Sequence, residues 1–283
     1  MRDYFCGWYF KCQGAGQTLA VIPAMHGAQG RRSCSVQLIT ADGAWNTVFA
    51  SEQFQRQKSG FSVRIGENQF GREGIELHLH SPGCSAEGSI RFGPFSPIRY
   101  DIMGPFRYVP FMQCRHSIVS MRHTVEGQLS VNGMDYRFQS ADGYIEGDRG
   151  YSFPKEYAWT HCFFEDGSIM LSVADIPFGP IRFTGVIGVI YWQGREYRLA
   201  TYLGARAVKI ENGEIVIRQG NMELTARLIY KKAHPLRAPV GGDMCRTIHE
   251  SASCRALYRF RQAGKKLFSF ESSHASFEYE YPS

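Results

Sequence analysis

Apolar and polar residues alternate along most of the chain, and turn dipeptides separate the alternating runs about every ten residues. A period of two is typical of a half-buried β-strand, whereas the spacing typical of an amphipathic helix is almost absent. Asn132-Gly133, Asn212-Gly213 and Asp166-Gly167 supply the positive φ angles of tight hairpin turns. The pattern predicts an all-β, antiparallel fold with helix in less than about a quarter of the residues.

Two segments modify this picture. Residues 255–281 alternate so regularly that we expect three strands there. The segment from Phe92 to Cys114 holds four prolines between aromatic residues, and proline belongs at edges, corners or loops of a sheet. We expect either an aromatic loop that caps a barrel mouth or a rigid irregular connection with its rings in the core.

The length of 283 residues allows two domains of about 140 residues or one large all-β unit. We place the boundary between residues 1–150 and 151–283. The net charge is +6, but the cations are scattered and the densest basic runs are only pairs, such as Lys231-Lys232. A nucleic-acid groove needs clustered charge, so we expect no nucleic-acid partner.

The sequence also indicates the cellular compartment of the protein. No apolar run approaches the roughly 20 residues of a membrane span, and no basic segment precedes Thr18 to Met25 as in a secretory signal. The eight cysteines are dispersed and lack a Cys-x-x-Cys motif. We interpret them as reduced thiols in a cytoplasmic protein, with disulfides in a periplasmic protein as the alternative.

The segment from Gly143 to Phe164 combines charged and aromatic residues in a way that suits a ligand pocket better than a surface loop or a plain core strand. Glu146 and Asp148 are two residues apart, so they point to the same side of an extended chain. Two carboxylates that share a site do not both ionise easily, and one can then serve as a general acid. Alternatively, Arg149 pairs with one of them, or the group is a structural salt bridge.

The other candidate site residues have both a functional and a purely structural interpretation. Six aromatic side chains either wall an apolar pocket, stabilise a developing carbocation or fill a core, namely those of Trp8, Tyr9, Tyr151, Phe153, Tyr157 and Trp159. His116 and His161 are proton donors or hydrogen-bonded structural residues. His78 and His80 place two imidazoles on one strand face, as in some zinc sites, but the sequence identifies no third ligand. Phosphate-loop, dinucleotide, serine-elbow and zinc-protease motifs do not occur, so we expect no cofactor and no metal.

The run GYIEGDRGYSFPKEYAW begins at Gly143. It resembles the central signature of the tocopherol cyclase-like family, which is related to carotenoid hydratases and to certain Diels–Alderases. Tyr4 to Lys11 resembles its opening Tyr-Phe-Glu-Gly-Trp-Tyr-Phe-Lys, although Cys6 replaces the glutamate, which argues against an acid role there. The segments from Gly104 to His116 and from Arg246 to Glu250 are similar to other parts of the family.

The resemblance implies two lipocalin-like β-barrels in tandem, with a cleft between them that holds Glu146 and is reached by Glu250. It also implies cofactor-free, acid-assisted cyclisation, isomerisation or hydration of an apolar prenylated or polyene substrate. A lipocalin-like carrier that binds a lipid or polyene unchanged is the alternative, and a scaffold with a filled cleft is a third. We expect an apolar small-molecule ligand and transient contact with a membrane surface to collect it.

The predicted site follows from these arguments. The predicted catalytic residues are Glu146, Asp148 and His161. The predicted substrate-binding residues are Trp8, Tyr9, His116, Arg149, Tyr151, Phe153, Trp159 and Glu250.

Overall fold

A computed structural model describes residues 3–57, 61–110, 112–165, 167–178 and 181–282. It confirms the all-β prediction, because these residues form two large antiparallel sheets of the lipocalin-like kind. Among the described residues, helix is limited to three short 3-10 turns, Ser51–Gln53, Gly104–Tyr108 and Thr201–Leu203. In the described ranges, every helix is too short and too polar to cross a bilayer.

The first sheet has eleven strands, and its hydrogen-bonded order is β4-β3-β2-β1-β11-β10-β9-β8-β7-β6-β5. Its path ends at β4 and β5, so hydrogen bonding does not close the sheet into a barrel among these strands. The strands are β1 (Tyr4–Gly14), β2 (Gln17–Ala28), β3 (Arg31–Thr40), β4 (Ala44–Ala50), β5 (Phe54–Arg56), β6 (Ser62–Ile65), β7 (Asn68–Gly71), β8 (Gly74–Ser81), β9 (Cys84–Phe92), β10 (Cys114–Val131) and β11 (Met134–Gly150).

The second sheet has ten strands in the order β15-β14-β13-β12-β21-β20-β18-β17-β16, with β19 paired to β20 beside this path. The strands are β12 (Tyr157–Phe164), β13 (Gly167–Phe178), β14 (Ile181–Trp192), β15 (Arg195–Ala200), β16 (Arg206–Glu211), β17 (Glu214–Gln219), β18 (Met222–Tyr230), β19 (His234–Val240), β20 (Asp243–Gln262) and β21 (Lys265–Tyr279).

Local turn chemistry explains many of the hairpins. Asn132 and Gly133 join β10 to β11 with φ angles of 51° and 80°, which asparagine and glycine tolerate best. Asn212 and Gly213 repeat this geometry between β16 and β17, with φ angles of 50° and 76°. The predicted turn residue Asp166 lies outside the described residues.

The prediction of three strands in residues 255–281 is wrong, because the segment contains only the end of β20 and the whole of β21. The register of this pair shifts between Ser251 and Cys254 and again towards Ala256 and Arg261. Irregular pairing of this kind keeps a long strand continuous while it bends, so the alternating pattern here belongs to two long strands.

Clustering of the chain gives two compact units that are not two uninterrupted halves. The first contains residues 1–97, 114–153 and 236–247, and the second contains 98–113, 154–235 and 248–283. Each unit has its own apolar core. In the first, Phe10 is fully buried and its ring stacks on Phe61 at 5.7 Å between centroids.

The proline-rich segment is held in the second unit by one buried arginine. Arg198 donates hydrogen bonds to the carbonyl oxygens of Tyr100 (2.9 Å) and Asp101 (3.1 Å) and forms an ion pair of 2.8 Å with buried Glu196. Its guanidinium carbon lies 3.7 Å from the centroid of the Tyr100 ring. Gly104 packs so closely on Tyr202 that a Cβ there would lie 2.5 Å from the ring. These contacts make the segment a fixed irregular connection.

Candidate functional site

Three titratable residues of the first unit meet on one face of its sheet. Tyr144, Glu146 and Asp148 alternate along β11, so their side chains share a face, as the sequence predicts for the two acids. On β10, His116 lies directly opposite Asp148, and on β1, Tyr9 lies directly opposite Glu146. Directly opposed residues of an antiparallel pair share a face, so all five side chains lie together.

The imidazole of His116 lies between the two carboxylates. Its Nδ1 is 2.9 Å from Oδ1 of Asp148, and its Nε2 is 3.1 Å from Oε2 of Glu146. The hydroxyl of Tyr144 donates to the same Oε2 of Glu146, and the thiol of Cys114 lies 3.4 Å from Oδ1 of Asp148. The result is a linear chain of polar groups from Cys114 and Asp148 through His116 and Glu146 to Tyr144.

Burial increases along this chain. The side chains of Asp148, His116 and Glu146 are 23%, 9% and 6% exposed, and Tyr144 is fully buried. Burial alone would lower the pKa of His116, but Glu146 and Asp148 together raise it well above its ordinary value. Burial and the neighbouring Glu146 raise the pKa of Tyr144 well above its usual range. A protonated imidazole between two carboxylates is therefore the form that this geometry favours.

A bulged segment of β10 brings His116 to this face. If the pairing of Val131 with Met134 continued without a break, Ser117 would oppose Asp148, and His116 would oppose Arg149. Three register shifts between Gly127 and Ile118 together change the pairing of β10 with β11 by one residue. A shift of one residue moves a side chain to the other face of the sheet.

Ser120 and His123 hold this irregular segment in place. The hydroxyl of Ser120 donates to the carbonyl of Arg122 at 3.1 Å and accepts from the amide of Ser96 at 3.1 Å. Nδ1 of His123 lies 3.0 Å from the same hydroxyl oxygen, and burial lowers the pKa of His123 to about 4. The neutral imidazole packs against Phe92, with 4.7 Å between ring centroids.

The opposite face of the same strands carries different chemistry. Trp8 belongs to the core of the first unit, and Arg149 lies on that face because it opposes Cys6, a core-packed residue. Within the described ranges, Arg149 forms no ion pair with Glu146 or Asp148; His116 contacts both acids instead. The alternation of β11 thus separates Arg149 from the two acids.

The remaining predicted residues of the first unit lie at the end of β11. Tyr151 is 40% exposed, and its carbonyl accepts from the amide of Gly242. Phe153 packs on Phe5 with 5.4 Å between ring centroids. Both side chains lie outside the chain of polar groups around His116.

Three predicted residues lie in the second unit, on the strands β12 and β20. Trp159 opposes Glu278 of β21, and Glu250 opposes the same Glu278 from the other side. The hydroxyl of Tyr157 donates to Glu278. His161 is fully buried, with its ring 4.6 Å from the Phe163 centroid. The second unit thus has a buried polar face of its own, in which the sequence analysis had not named Glu278.

The cluster around His116 also contains metal-ligand atom types. One ligand atom each from His116, Glu146 and Asp148 lies within 4.8 Å of the others. However, the two carboxylates face different nitrogens of the ring, which point away from each other. A single ion cannot replace both contacts through one imidazole nitrogen, so the arrangement fits proton transfer along a chain better than metal coordination.

Comparison with known proteins identifies the fold. Family models and curated proteins give no match to the sequence. Among solved structures, CghA with Sch210972 has a TM-score of 0.64 at 10% identity, covering 98% of this chain and 88% of that chain. Kievitone hydratase from Nectria haematococca has a TM-score of 0.57 at 10% identity, covering 98% and 89%. A putative AttH from Nitrosomonas europaea has a TM-score of 0.56 at 10% identity, covering 100% and 93%. The chain shares the architecture of these proteins over nearly its full length.

Sequence reasoning missed Tyr144 and Cys114 as members of the site. The period of two in β11 was a usable signal for Tyr144, because the residue is two positions before Glu146. Cys114 had no such signal, because its contact with Asp148 depends on the shifted register of β10.

Proposed function

We propose that the protein catalyses a cofactor-free, acid-assisted cyclisation, isomerisation or hydration of an apolar prenylated or polyene substrate. Glu146 is the proton donor, His116 supplies its proton, and Asp148 holds the imidazole in place through Nδ1. The observation that carries the proposal is the position of the His116 imidazole, 3.1 Å from the buried carboxylate of Glu146 and 2.9 Å from the more exposed Asp148. Buried groups with shifted pKa values, arranged as an acid with its own proton source, are typical of catalytic sites.

The proton balance is simple. Transfer of the Nε2 proton of His116 to Glu146 leaves a neutral imidazole and a protonated carboxyl. Donation from that carboxyl to a substrate double bond forms a carbocation, and the ring of Tyr9, on the same face as Glu146, can stabilise it. Capture by a substrate hydroxyl closes a ring, and capture by water completes a hydration. The oxygen then loses one proton to the neutral imidazole of His116, which restores the chain. In an isomerisation, the carbocation instead loses a neighbouring C–H proton to the same imidazole.

The likeness to kievitone hydratase and CghA supports the fold on which this proposal depends. The substrate class comes from the resemblance of the Gly143 to Trp159 segment to tocopherol cyclase-like proteins. Native mass spectrometry of protein purified from its own cells would first identify a co-purifying apolar ligand.

The decisive variant is Glu146→Gln, which keeps the side-chain volume and removes the titrating proton. A general acid contributes about 100-fold to 10,000-fold in rate, so turnover of a prenyl-quinol or polyene should fall by that factor while binding is kept. Glu67→Gln, at an exposed residue of the same unit, is the matched control. Turnover within a few-fold of the parent would disprove the acid role. Loss of folding would make Glu146 structural, and stoichiometric binding without turnover would favour a carrier.

A further inference from the structure

The position of His116 along β11 depends on two bulges in β10. Before these bulges, residues 125–123 of β10 pair with residues 141–143 of β11 without interruption. If that register continued, His116 would oppose Gly150, whereas it opposes Asp148 in the structure. The difference is two residues of a strand, or about 7 Å. Without the bulges, the imidazole would therefore lie too far along β11 to contact both carboxylates.

Each bulge inserts one extra residue of β10 into the pairing with β11. The first lies between His123 and Ser120, where three steps along β10 match two steps along β11. The second lies between Ser120 and Ile118, where two steps match one. A bulge changes the direction of the side chains that follow it, and bulges are frequent beside active sites. Ser120 is the residue that both bulges share.

Ser120 is fully buried, and its hydroxyl makes three polar contacts at the first bulge. It donates to the carbonyl of Arg122 at 3.1 Å, across the bulge. The same oxygen accepts from the amide of Ser96 at 3.1 Å and lies 3.0 Å from Nδ1 of His123. The amide of Met121, inside the bulge, donates to the carbonyl of Ser96 at 2.8 Å. The bulged residue therefore has a backbone partner outside β11, and the hydroxyl of Ser120 joins the two segments.

A bidentate ion pair holds the same bulge closer to solvent. Nε and Nη2 of Arg122 donate to the two carboxylate oxygens of Asp142 at 2.6 Å and 3.0 Å. Asp142 opposes Thr124, so the pair ties the bulge to the regular register before it. The two side chains are 30% and 31% exposed, and solvent screens such a pair. We therefore expect the buried hydroxyl of Ser120 to contribute more than this ion pair.

The second unit contains a similar serine. β20 changes its register between Ser251 and Cys254. Ser251 is fully buried, and its hydroxyl oxygen lies 3.2 Å from the carbonyl oxygen of Ser253 and 3.0 Å from that of Lys232. Ser120 and Ser251 thus both contact the carbonyl two residues further along an irregular strand. Ser251 provides a matched control for changes at Ser120.

We propose that Ser120 is a positioning residue for proton transfer, because its hydroxyl fixes the bulge that sets His116 between Glu146 and Asp148. Removal of the hydroxyl leaves the amide and imidazole nitrogens that it contacts without this partner, which favours a less bulged pairing of β10 with β11. The imidazole then moves away from the two acids. The expected effect on turnover rests on the proposed function, whereas the expected effect on the imidazole requires no substrate.

The experiment compares Ser120→Ala, which removes the hydroxyl, with Ser120→Thr, which keeps it, in the full chain. NMR titration of the histidine rings, with His116→Gln to assign the signal, should give a pKa of His116 well above its ordinary value in the parent and in Ser120→Thr. In Ser120→Ala this pKa should fall towards the ordinary value. Ser251→Ala should destabilise the protein and leave the pKa of His116 unchanged.

Turnover of a prenyl-quinol or polyene should fall at least about tenfold in Ser120→Ala, because a misplacement of about 1 Å can reduce a rate by about 100-fold. The proposal is overturned if the pKa of His116 is ordinary in the parent, if it stays as high in Ser120→Ala as in the parent, or if Ser251→Ala lowers it equally. Unchanged turnover in Ser120→Ala also overturns it.

Two further outcomes separate this proposal from the proposed function. If the pKa of His116 falls only in Ser120→Ala but the parent converts neither substrate, Ser120 still positions the imidazole and the proposed reaction is wrong. If Ser120→Ala does not fold, Arg122→Gln, which breaks the ion pair with Asp142 at the same bulge, is judged by the same criteria.

Discussion

Replacement of His116 by glutamine tests whether a charged imidazole joins the two acids. The variant loses both close contacts, to Glu146 at 3.1 Å and to Asp148 at 2.9 Å, and leaves two carboxylates without their shared cation. Removal of one partner of a buried ion pair costs about 3–5 kcal/mol. The partial exposure of Asp148 and the hydrogen bond from Tyr144 to Glu146 reduce the loss, so we expect about 3 kcal/mol.

The pH dependence distinguishes a charged imidazole from simple packing. Because the folded-state pKa of His116 is raised, its stabilising effect is fully present below the unfolded pKa of about 6.5 and is lost as the pH rises through the folded value. The difference in unfolding free energy between the parent and His116→Gln should therefore be largest at about pH 6 and become smaller in alkaline buffer.

Urea unfolding followed by circular dichroism across this range gives the midpoint and slope at each pH. His123→Gln is the matched control, since the pKa of His123 is lowered to about 4 and its imidazole is neutral throughout. Because only the unfolded state protonates His123 near pH 6, the loss of stability for this control should be constant in alkaline buffer and become smaller towards about pH 6, opposite to the change for His116→Gln. If the loss for His116→Gln does not grow towards about pH 6, His116 is not charged in the folded protein, and the proposed proton chain is wrong.

Two further predictions concern the rest of the molecule. Arg198→Ala leaves buried Glu196 without its ion pair and two carbonyls of the proline-rich segment without a donor, so we expect a loss of about 3–5 kcal/mol and proteolytic cleavage within residues 98–113. Exposed Arg195→Ala should change neither, and resistance of the segment in Arg198→Ala would contradict the role of this arginine. Exhaustive chelation should leave folding and ligand binding unchanged. Stoichiometric zinc in the purified protein would contradict the prediction of no metal and would indicate a metal site at His78 and His80.

The sequence alone determined those features that depend on neighbours along the chain. Strand alternation and the dipeptides Asn132-Gly133 and Asn212-Gly213 were enough for an all-β fold with correctly placed hairpins, because turn geometry and the period of two are local properties. The same period placed Glu146 and Asp148 on one face of β11.

The composition of the site depended on contacts between strands, and these were not visible in the sequence. His116 lies opposite Asp148 only because the irregular pairing of β10 with β11 between Gly127 and Ile118 changes the register by one residue in total, and nothing in the local sequence specifies that change. Arg149, adjacent to Asp148, looked like its ion-pair partner but lies on the opposite face. The anchoring of residues 98–113 by Arg198 likewise joins segments about a hundred residues apart. Only the tertiary structure fixes such pairings, because their free energy comes from burial and charge across strands and not from the preference of any one segment.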